Sequence, residues 1–234
     1  MFNYNFNILN NLFYSLIQAN VDAETLTWLQ EKVALANEPE SFNKFKIGFS
    51  IVSRKVPKIR IELSDADRET IASLIPNLSI DRWSVKKLCR VWLIMQINAD
   101  DEAAYIPKIE ELFRDADMNE LATLYASLPV LAYPSHWEKQ CAEGVRSNIG
   151  DVLDSVIMDN PYPAEHLNDD AWNQLVLKAF FTERDVKRII GWERRLNENL
   201  INTLRDYANE RKAAGRDVNP DLWEMIDLFE KKHA

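Results

Sequence analysis

Polar side chains that fall on stripes of apolar residues are the places in this chain where chemistry could sit. Asn148 lies between Val145 and Val152 on an apolar track, and Arg211 lies one turn beyond Leu204 and Tyr207 on another. A buried amide or guanidinium costs on the order of several kcal/mol unless it is paired. Each therefore calls for partners or for a wet cavity, and pairing of Arg211 with Asp206 or Glu210 stands level with a binding pocket. Gln174 and Lys178, one turn apart and opposite the apolar face of Trp172, Leu175, Val176 and Ala179, read as a solvated edge. Asn173 sits at the margin between Leu177 and Phe180, where half burial is expected. Arg194 and Arg195 precede Asn197 at a helix junction, from which guanidinium groups reach an anion or cap carbonyls.

A second candidate is electrostatic. Between Ser41 and Ile61 stand Lys44, Lys46, Arg54, Lys55, Lys58 and Arg60, with no acid among them, in a chain of formal net charge −9. Such an excess suits phosphate, diphosphate or an acidic lipid head group. The plainer reading is favoured: bases near a helix C-terminus complement its dipole and solubilise a phenylalanine-rich helix. Other chemistries lack their residues. There is no GxxxxGK[ST] or GxGxxG phosphate loop, no HExxH and no GxSxG elbow, and His136, His166 and His233 have no ligand spacing. Neither a metal site nor a cofactor is expected. Cys89 and Cys141 stand far apart in apolar segments and read as reduced core residues.

The elements that must carry these residues are helices. Apolar residues make up 47% of the 234, seven are Trp and only five are Gly, which suits packed helices better than a turn-rich sandwich. Phe2, Phe6, Leu9, Phe13 and Leu16/Ile17 form the stripe of a first helix; Leu26, Leu29 and Val33 that of a second, from Asp22 to Asn37; and Phe42, Phe45, Phe49 and Val52 that of a third, with Pro39 in its first turn and Pro57 as its stop. These three form a bundle. Residues 58–63 alternate and could be extended, but no partner strand is evident. Ser64 with Asp67 caps a helix over 65–75, Val85, Leu88, Trp92 and Met95 mark one over 81–97, and helices at 101–114 and 118–127 follow, the latter capped by Asp117 with Glu120.

Beyond Pro134, Ser135 with Glu138 has capping-box spacing, and the stripe Trp137, Cys141, Val145, Asn148, Val152, Val156 predicts one long helix to Asn160, bent at Gly144 or Gly150. Asn160-Pro161-Tyr162-Pro163 reads as a rigid turn. Asn168 opens a helix through Phe181, Thr182 and Asp185 cap another, a long helix runs from Asn197 to Gly215, and Asn219-Pro220 starts a short terminal one. The expected fold class is all-α, an irregular array of about eleven helices, solenoid-like in the C-terminal half. Residues 1–134 form a helical bundle region and 135–234 a second helical region, the two making one compact unit. The acidic balance opposes nucleic-acid binding. No run approaches roughly 18 apolar residues and the first residues have no secretory character, so no integral membrane segment and a cytoplasmic location are expected.

The second half resembles the EboA family. The likeness lies in Glu143-Gly144, Arg146-Ser147-Asn148, Asn160-Pro161-Tyr162-Pro163, Ala171-Trp172-Asn173-Gln174, Leu177-Lys178, Arg194-Arg195, Asn197, Asp206-Tyr207-Ala208, Glu210-Arg211 and Ala214-Gly215-Arg216. It spans roughly residues 135 to 223; the first 130 residues are similar only loosely, around Phe49-Ser50 and Arg54. Asn209 stands where a His is usual, and Trp192-Glu193 where Leu-Asp is usual, which argues against that His being an essential catalyst. Members are encoded beside proteins resembling a membrane prenyltransferase, a dehydroquinate-synthase-like enzyme, a TIM-barrel isomerase-like protein and hydrolases. The set is associated with bacterial secondary metabolism and, in cyanobacteria, with moving a sunscreen-pigment precursor to the periplasm.

The resemblance implies a part in making or handling such a metabolite, and it draws Arg146, Asn148, Asn160, Tyr162, Asn173, Lys178, Arg195, Asn197, Tyr207 and Arg211 into one candidate ligand-binding set. A polar pocket for a small anionic or hydroxylated ligand, and a helix-pinning hydrogen-bond network, are the two roles such a set can play. Two functions follow. One is a non-catalytic binding or scaffold component in biosynthesis or precursor export of a bacterial secondary metabolite, its partners a small anionic metabolite or other proteins of the same gene cluster. The other is a metal-independent enzyme acting on a small phosphorylated or prenylated intermediate, with Glu210 as acid/base and Lys178, Arg195 or Arg211 holding an anion.

Overall fold

A computed structural model describes residues 1–38 and 40–233 of the chain; Pro39, read above as part of a first helical turn, lies outside them. Among the described residues there are 13 α-helices, three 3₁₀ turns and no strand, so the chain is all-α. None of these helices is long and apolar enough to cross a membrane. Two compact units divide the chain, Met1–Trp137 and Glu138–Ala234.

In the first unit run α1 (Phe6–Gln18), α2 (Ala23–Asn37), α3 (Phe42–Lys55), α4 (Asp65–Leu74), α5 (Val85–Met95), α6 (Glu102–Asp115) and α7 (Met118–Ala126). Their starts are set locally. Asn5, Asp22, Ser64, Ser84, Asp101 and Asp117 each accept a backbone N–H of the first turn, and Ser64 with Asp67 and Asp117 with Glu120 form complete capping boxes. α5 buries nine of its eleven residues, Arg90 included. A helix with no polar face has to be surrounded, and α1, α2, α3 and α7 all pack on it. The alternating stretch near Ile59 is extended but makes only an isolated antiparallel bridge, Arg60 with Ser84. Ile61 N donates to Trp83 O at 3.1 Å and Val85 N to Ile59 O at 2.8 Å, which pins the entrance to α5.

In the second unit run α8 (Glu138–Arg146), α9 (Gly150–Ile157), α10 (Tyr162–His166), α11 (Asp169–Phe181), α12 (Glu198–Ala213) and α13 (Pro220–His233). α8 pairs with α9, α11 lies on α8 and α12, and α12 packs on α13. The long helix expected from Trp137 to Asn160 does not form. Residues 134–137 make a 3₁₀ turn, so Ser135 lies inside that turn and the α-helix begins at Glu138. The second break, at 147–149, comes from Ser147, whose Oγ accepts the Ile149 N–H at 3.1 Å and offers the backbone an alternative to the helical ladder. Thr182 and Asp185 introduce only a 3₁₀ turn, Val186–Arg188. The proline run after Asn160 is itself helical, because Pro is tolerated in a first turn where its missing N–H has no partner to lose.

Cys89 and Cys141 are buried and unbridged, and burial pushes the Cys89 thiol up to about 12 and that of Cys141 up further. The basic stretch is less unbalanced in space than along the chain. Lys46 meets Glu111 and Asp115 of α6, and Lys55 lies 3.5 Å from Glu24 of α2.

Candidate functional site

α11 has two faces. Trp172, Leu175, Val176, Ala179 and Phe180 form the buried stripe. Gln174, Leu177, Lys178 and Phe181, at helical spacing i, i+3, i+4 and i+7, form a second stripe. With Val145 and Arg146 from the end of α8 they line an open groove of about 330 Å³. Its floor is apolar, Phe181 stands 71% exposed at one end, and no acid is among its described lining residues.

Lys178 Nζ donates to the Asn148 side-chain oxygen at 3.1 Å. That partner is a neutral amide, so the ammonium charge is positioned and not cancelled. Arg146 pairs with Glu143 at 2.7 Å, one turn back, and both side chains are more than half exposed. Such a pair is worth little and is readily exchanged for another anion. The break in the predicted long helix is what makes this arrangement: Asn148 is exposed and not on a buried stripe, and it hangs from the 147–149 turn within reach of α11.

Other members of the candidate set lie near or away from this groove. Phe181 packs at 6.4 Å on Tyr207, and the Arg211 guanidinium stands 5.9 Å above that ring. Arg211 donates from Nε to the Asp217 carbonyl at 2.8 Å, and not to Asp206 or Glu210, and so holds the chain that turns back after Gly215. Glu210 is exposed and is not among the groove's lining residues.

Asn160, Tyr162, Asn173, Arg195 and Asn197 pin helix ends. Asn160 donates to Ser155 O at 2.9 Å and accepts the Tyr162 N–H at 3.0 Å, joining the end of α9 to the start of α10. Asn173 and Asn197 exchange amide hydrogen bonds at 3.2 and 2.9 Å, and the Asn197 oxygen also caps α12 through Leu200 N. Arg195 donates to the carbonyls of Pro163, Ala164 and Leu167 and to Asp169, with its guanidinium 4.9 Å above the Trp172 ring.

The loop that delivers Arg195 turns at Gly191, whose φ is +79° and whose carbonyl accepts the N–H groups of both Arg194 and Arg195. A Cβ there would stand 2.8 Å from Ala164 Cβ. Gly191→Ala is therefore expected to combine left-handed strain with a clash and to lower stability by roughly 2–4 kcal/mol. Gly215→Ala, at φ +67° with nothing within 4 Å of the new methyl, should cost only about 1 kcal/mol. Urea denaturation of the two variants checks the ordering. Equal losses would show that backbone strain, and not the Ala164 contact, sets the effect.

Two features escaped the reading of spacing alone. Phe181 lies four residues beyond Leu177 and seven beyond Gln174, on the stripe turned away from Trp172 and Val176, so the helical register itself displays it. In the first unit Arg90 and Glu120 form an ion pair at 3.5 Å with side chains 2% and 6% exposed. Arg90 stands alone in an apolar run, which itself signals a buried partner. Burial lowers its guanidinium's affinity for its proton, opposed by the charges of Glu120 and Asp117. Among the described residues no group of His, Cys, Asp and Glu side chains is placed to hold a metal ion.

No curated protein and no solved structure matches the chain. The sequence model of one family, described as metabolite traffic protein EboA, matches residues 9–227, extending the likeness from the C-terminal motifs through most of the N-terminal unit. The chain belongs to the EboA family.

Proposed function

We propose that this protein is a non-catalytic binding component, working in the cytoplasm, that holds a small anionic metabolite with an apolar portion during biosynthesis or precursor export of a bacterial secondary metabolite. The observation that supports it is the α8/α11 groove, where Lys178 carries a charge matched only by an amide, beside Arg146 and above an apolar floor ending in exposed Phe181. Preorganised cations beside apolar surface favour an anion with a hydrocarbon body over a fully hydrated one. The family's description as a metabolite traffic protein agrees with carriage. An open groove, which releases its guest more readily than a closed cavity, supports a reading in which the guest is handed to a partner protein of the same gene cluster.

Thermal unfolding with geranyl diphosphate and with glucose 6-phosphate tests this. A ligand at a hundred times its Kd stabilises the native state by about 2.7 kcal/mol. The diphosphate is expected to raise Tm and the sugar phosphate to do so less, because it leaves the apolar floor uncovered. Lys178→Ala, on a half-buried side chain with one exposed partner, should fold normally and weaken the diphosphate at least tenfold. No shift with either compound would sink the proposal, and recovery of a converted product would favour the enzymatic alternative.

A further inference from the structure

The acid-free stretch from Ser41 to Ile61 has no residue lining the α8/α11 groove, and its charges are only partly matched in space. Lys46 is taken up by Glu111 and Asp115, and Lys55 lies near Glu24. Among the described residues no carboxylate pairs with Arg54, Lys58 or Arg60, and all three are exposed.

The fold gathers these bases. The segment 58–60 is tied along the entrance to α5 by the bridge between Arg60 and Ser84 and by the Val85 N–H, which donates to Ile59 O at 2.8 Å. Lys86, the next residue, donates from Nζ to the Ser53 carbonyl at 2.8 Å, beside Arg54. Arg54, Lys58, Arg60 and Lys86 therefore share the edge where α3 ends and α5 begins. The acids bordering that edge are Glu62, exposed beyond Arg60, and Glu24 beside Lys55.

Complementing the helix dipole accounts for Arg54 and Lys55 in the last turn of α3, but not for Lys58 and Arg60 beyond it. Nor does solubilisation account for what lies among the bases. Ile59, between Lys58 and Arg60, is 48% exposed, and Ile47, two turns before Arg54 on the same outward face of α3, is 60% exposed. Bases interleaved with aliphatic side chains match a surface that is anionic outside and hydrocarbon beneath. A nucleic acid or an acidic polypeptide would satisfy the bases and leave both isoleucines in water. In a chain of net charge −9 the rest of the surface is repelled by the same anions, so the approach is oriented.

We propose that this edge docks the protein on an anionic lipid bilayer, Arg54, Lys58, Arg60 and Lys86 meeting headgroup phosphates while Ile47 and Ile59 enter the boundary with the acyl chains. The contact is peripheral and reversible, each base contributing about fivefold to partitioning. It stands independently of the groove between α8 and α11.

Co-sedimentation of the full chain with vesicles tests it. Vesicles of phosphatidylcholine with about 40% phosphatidylglycerol should take up at least tenfold more protein than phosphatidylcholine alone, and about 0.5 M salt should abolish the difference. Lys58→Glu with Arg60→Glu is expected to weaken partitioning at least about twentyfold. The same reversal of charge at two exposed bases of the second unit, Arg216→Glu with Lys231→Glu, should change it less than about twofold. Ile47→Ser with Ile59→Ser, both at exposed positions, should leave thermal unfolding unchanged and weaken partitioning about tenfold. The proposal is overturned if phosphatidylcholine alone binds as well, if neither vesicle binds, or if the distant reversal is as damaging as the local one. Wild-type partitioning by the isoleucine variant overturns it too, because the edge would then be a contact for soluble polyanions.

Discussion

Arg90→Ala is expected to lower stability by about 3–5 kcal/mol, because it leaves the Glu120 carboxylate buried without its cation. The guanidinium is enclosed on every side: Nε donates to Phe49 O at 3.1 Å, Nη2 to Ser50 O at 3.3 Å, and the plane lies 5.3 Å above the Phe49 ring. The Phe49 and Ser50 carbonyls belong to the interior of α3 and keep their helical bonds when Arg90 is removed. The loss therefore falls on Glu120, whose Oε1 has no hydrogen-bond donor among the described residues, and on the cavity left around α5. For a chain of this length the apparent Tm should fall by roughly 10 °C. Arg90→Met combined with Glu120→Gln removes both charges while filling the space, and should recover more than half of the loss. Guanidinium chloride unfolding of the two single variants and the pair gives the coupling directly. If Arg90→Ala costs under about 1 kcal/mol, Glu120 is not confined with its charge and the pair is not a structural one.

What could be read from the residue order is what the backbone decides locally. The caps at Asp22, Ser64, Asp117, Asn168 and Asn197 are settled within three or four residues, and each stands where its spacing places it. The stripes of α1, α3 and α5 follow for the same reason. The long helix across 137–160 was misread because periodicity registers which residues are apolar and not which side chain competes for the backbone. Ser147 does so, and Asn148 leaves the stripe with it. That one break also moves Asn148 from a supposed core position to the edge of the α8/α11 groove, so the error in the fold and the error in the site have a single cause. Gln174 and Lys178 were correctly placed off the core face, but a solvated edge and a groove wall are the same pattern until the neighbouring helix is known. Arg211 shows the opposite case: its apolar register is real, yet its partner is the Asp217 carbonyl, supplied by the chain's return after Gly215, which helical spacing cannot anticipate.

The second large effect separates the two roles open to the polar set of the C-terminal unit. Arg195 reaches Pro163 O, Ala164 O and Leu167 O with Nη1 at 3.4, 3.2 and 2.7 Å, at the C-terminal end of the short helix α10, where Pro163 O also accepts the Leu167 N–H at 3.1 Å. Nη2 donates to Asp169 at 2.6 Å in the first turn of α11, and the side chain is only 15% exposed. One guanidinium thus closes one helix, fixes the start of the next and stacks on Trp172. Two residues on, Asn197 ties α12 to α11. Arg195→Ala should cost about 2–4 kcal/mol, since the Ala164 and Leu167 carbonyls and the Asp169 carboxylate lose this donor together while Pro163 O keeps the Leu167 N–H. Arg195→Lys should recover less than half, because a single ammonium cannot span carbonyls and carboxylate as the planar fork does. Trp fluorescence in urea reads the stability, and the same variants titrated with geranyl diphosphate under folding conditions read the groove. A structural pin predicts a large loss in the first measurement and less than a twofold change in the second. The reverse pattern, intact stability with tenfold weaker binding, would put Arg195 among the residues that hold the ligand and would require the groove to extend along α11 as far as Asn173.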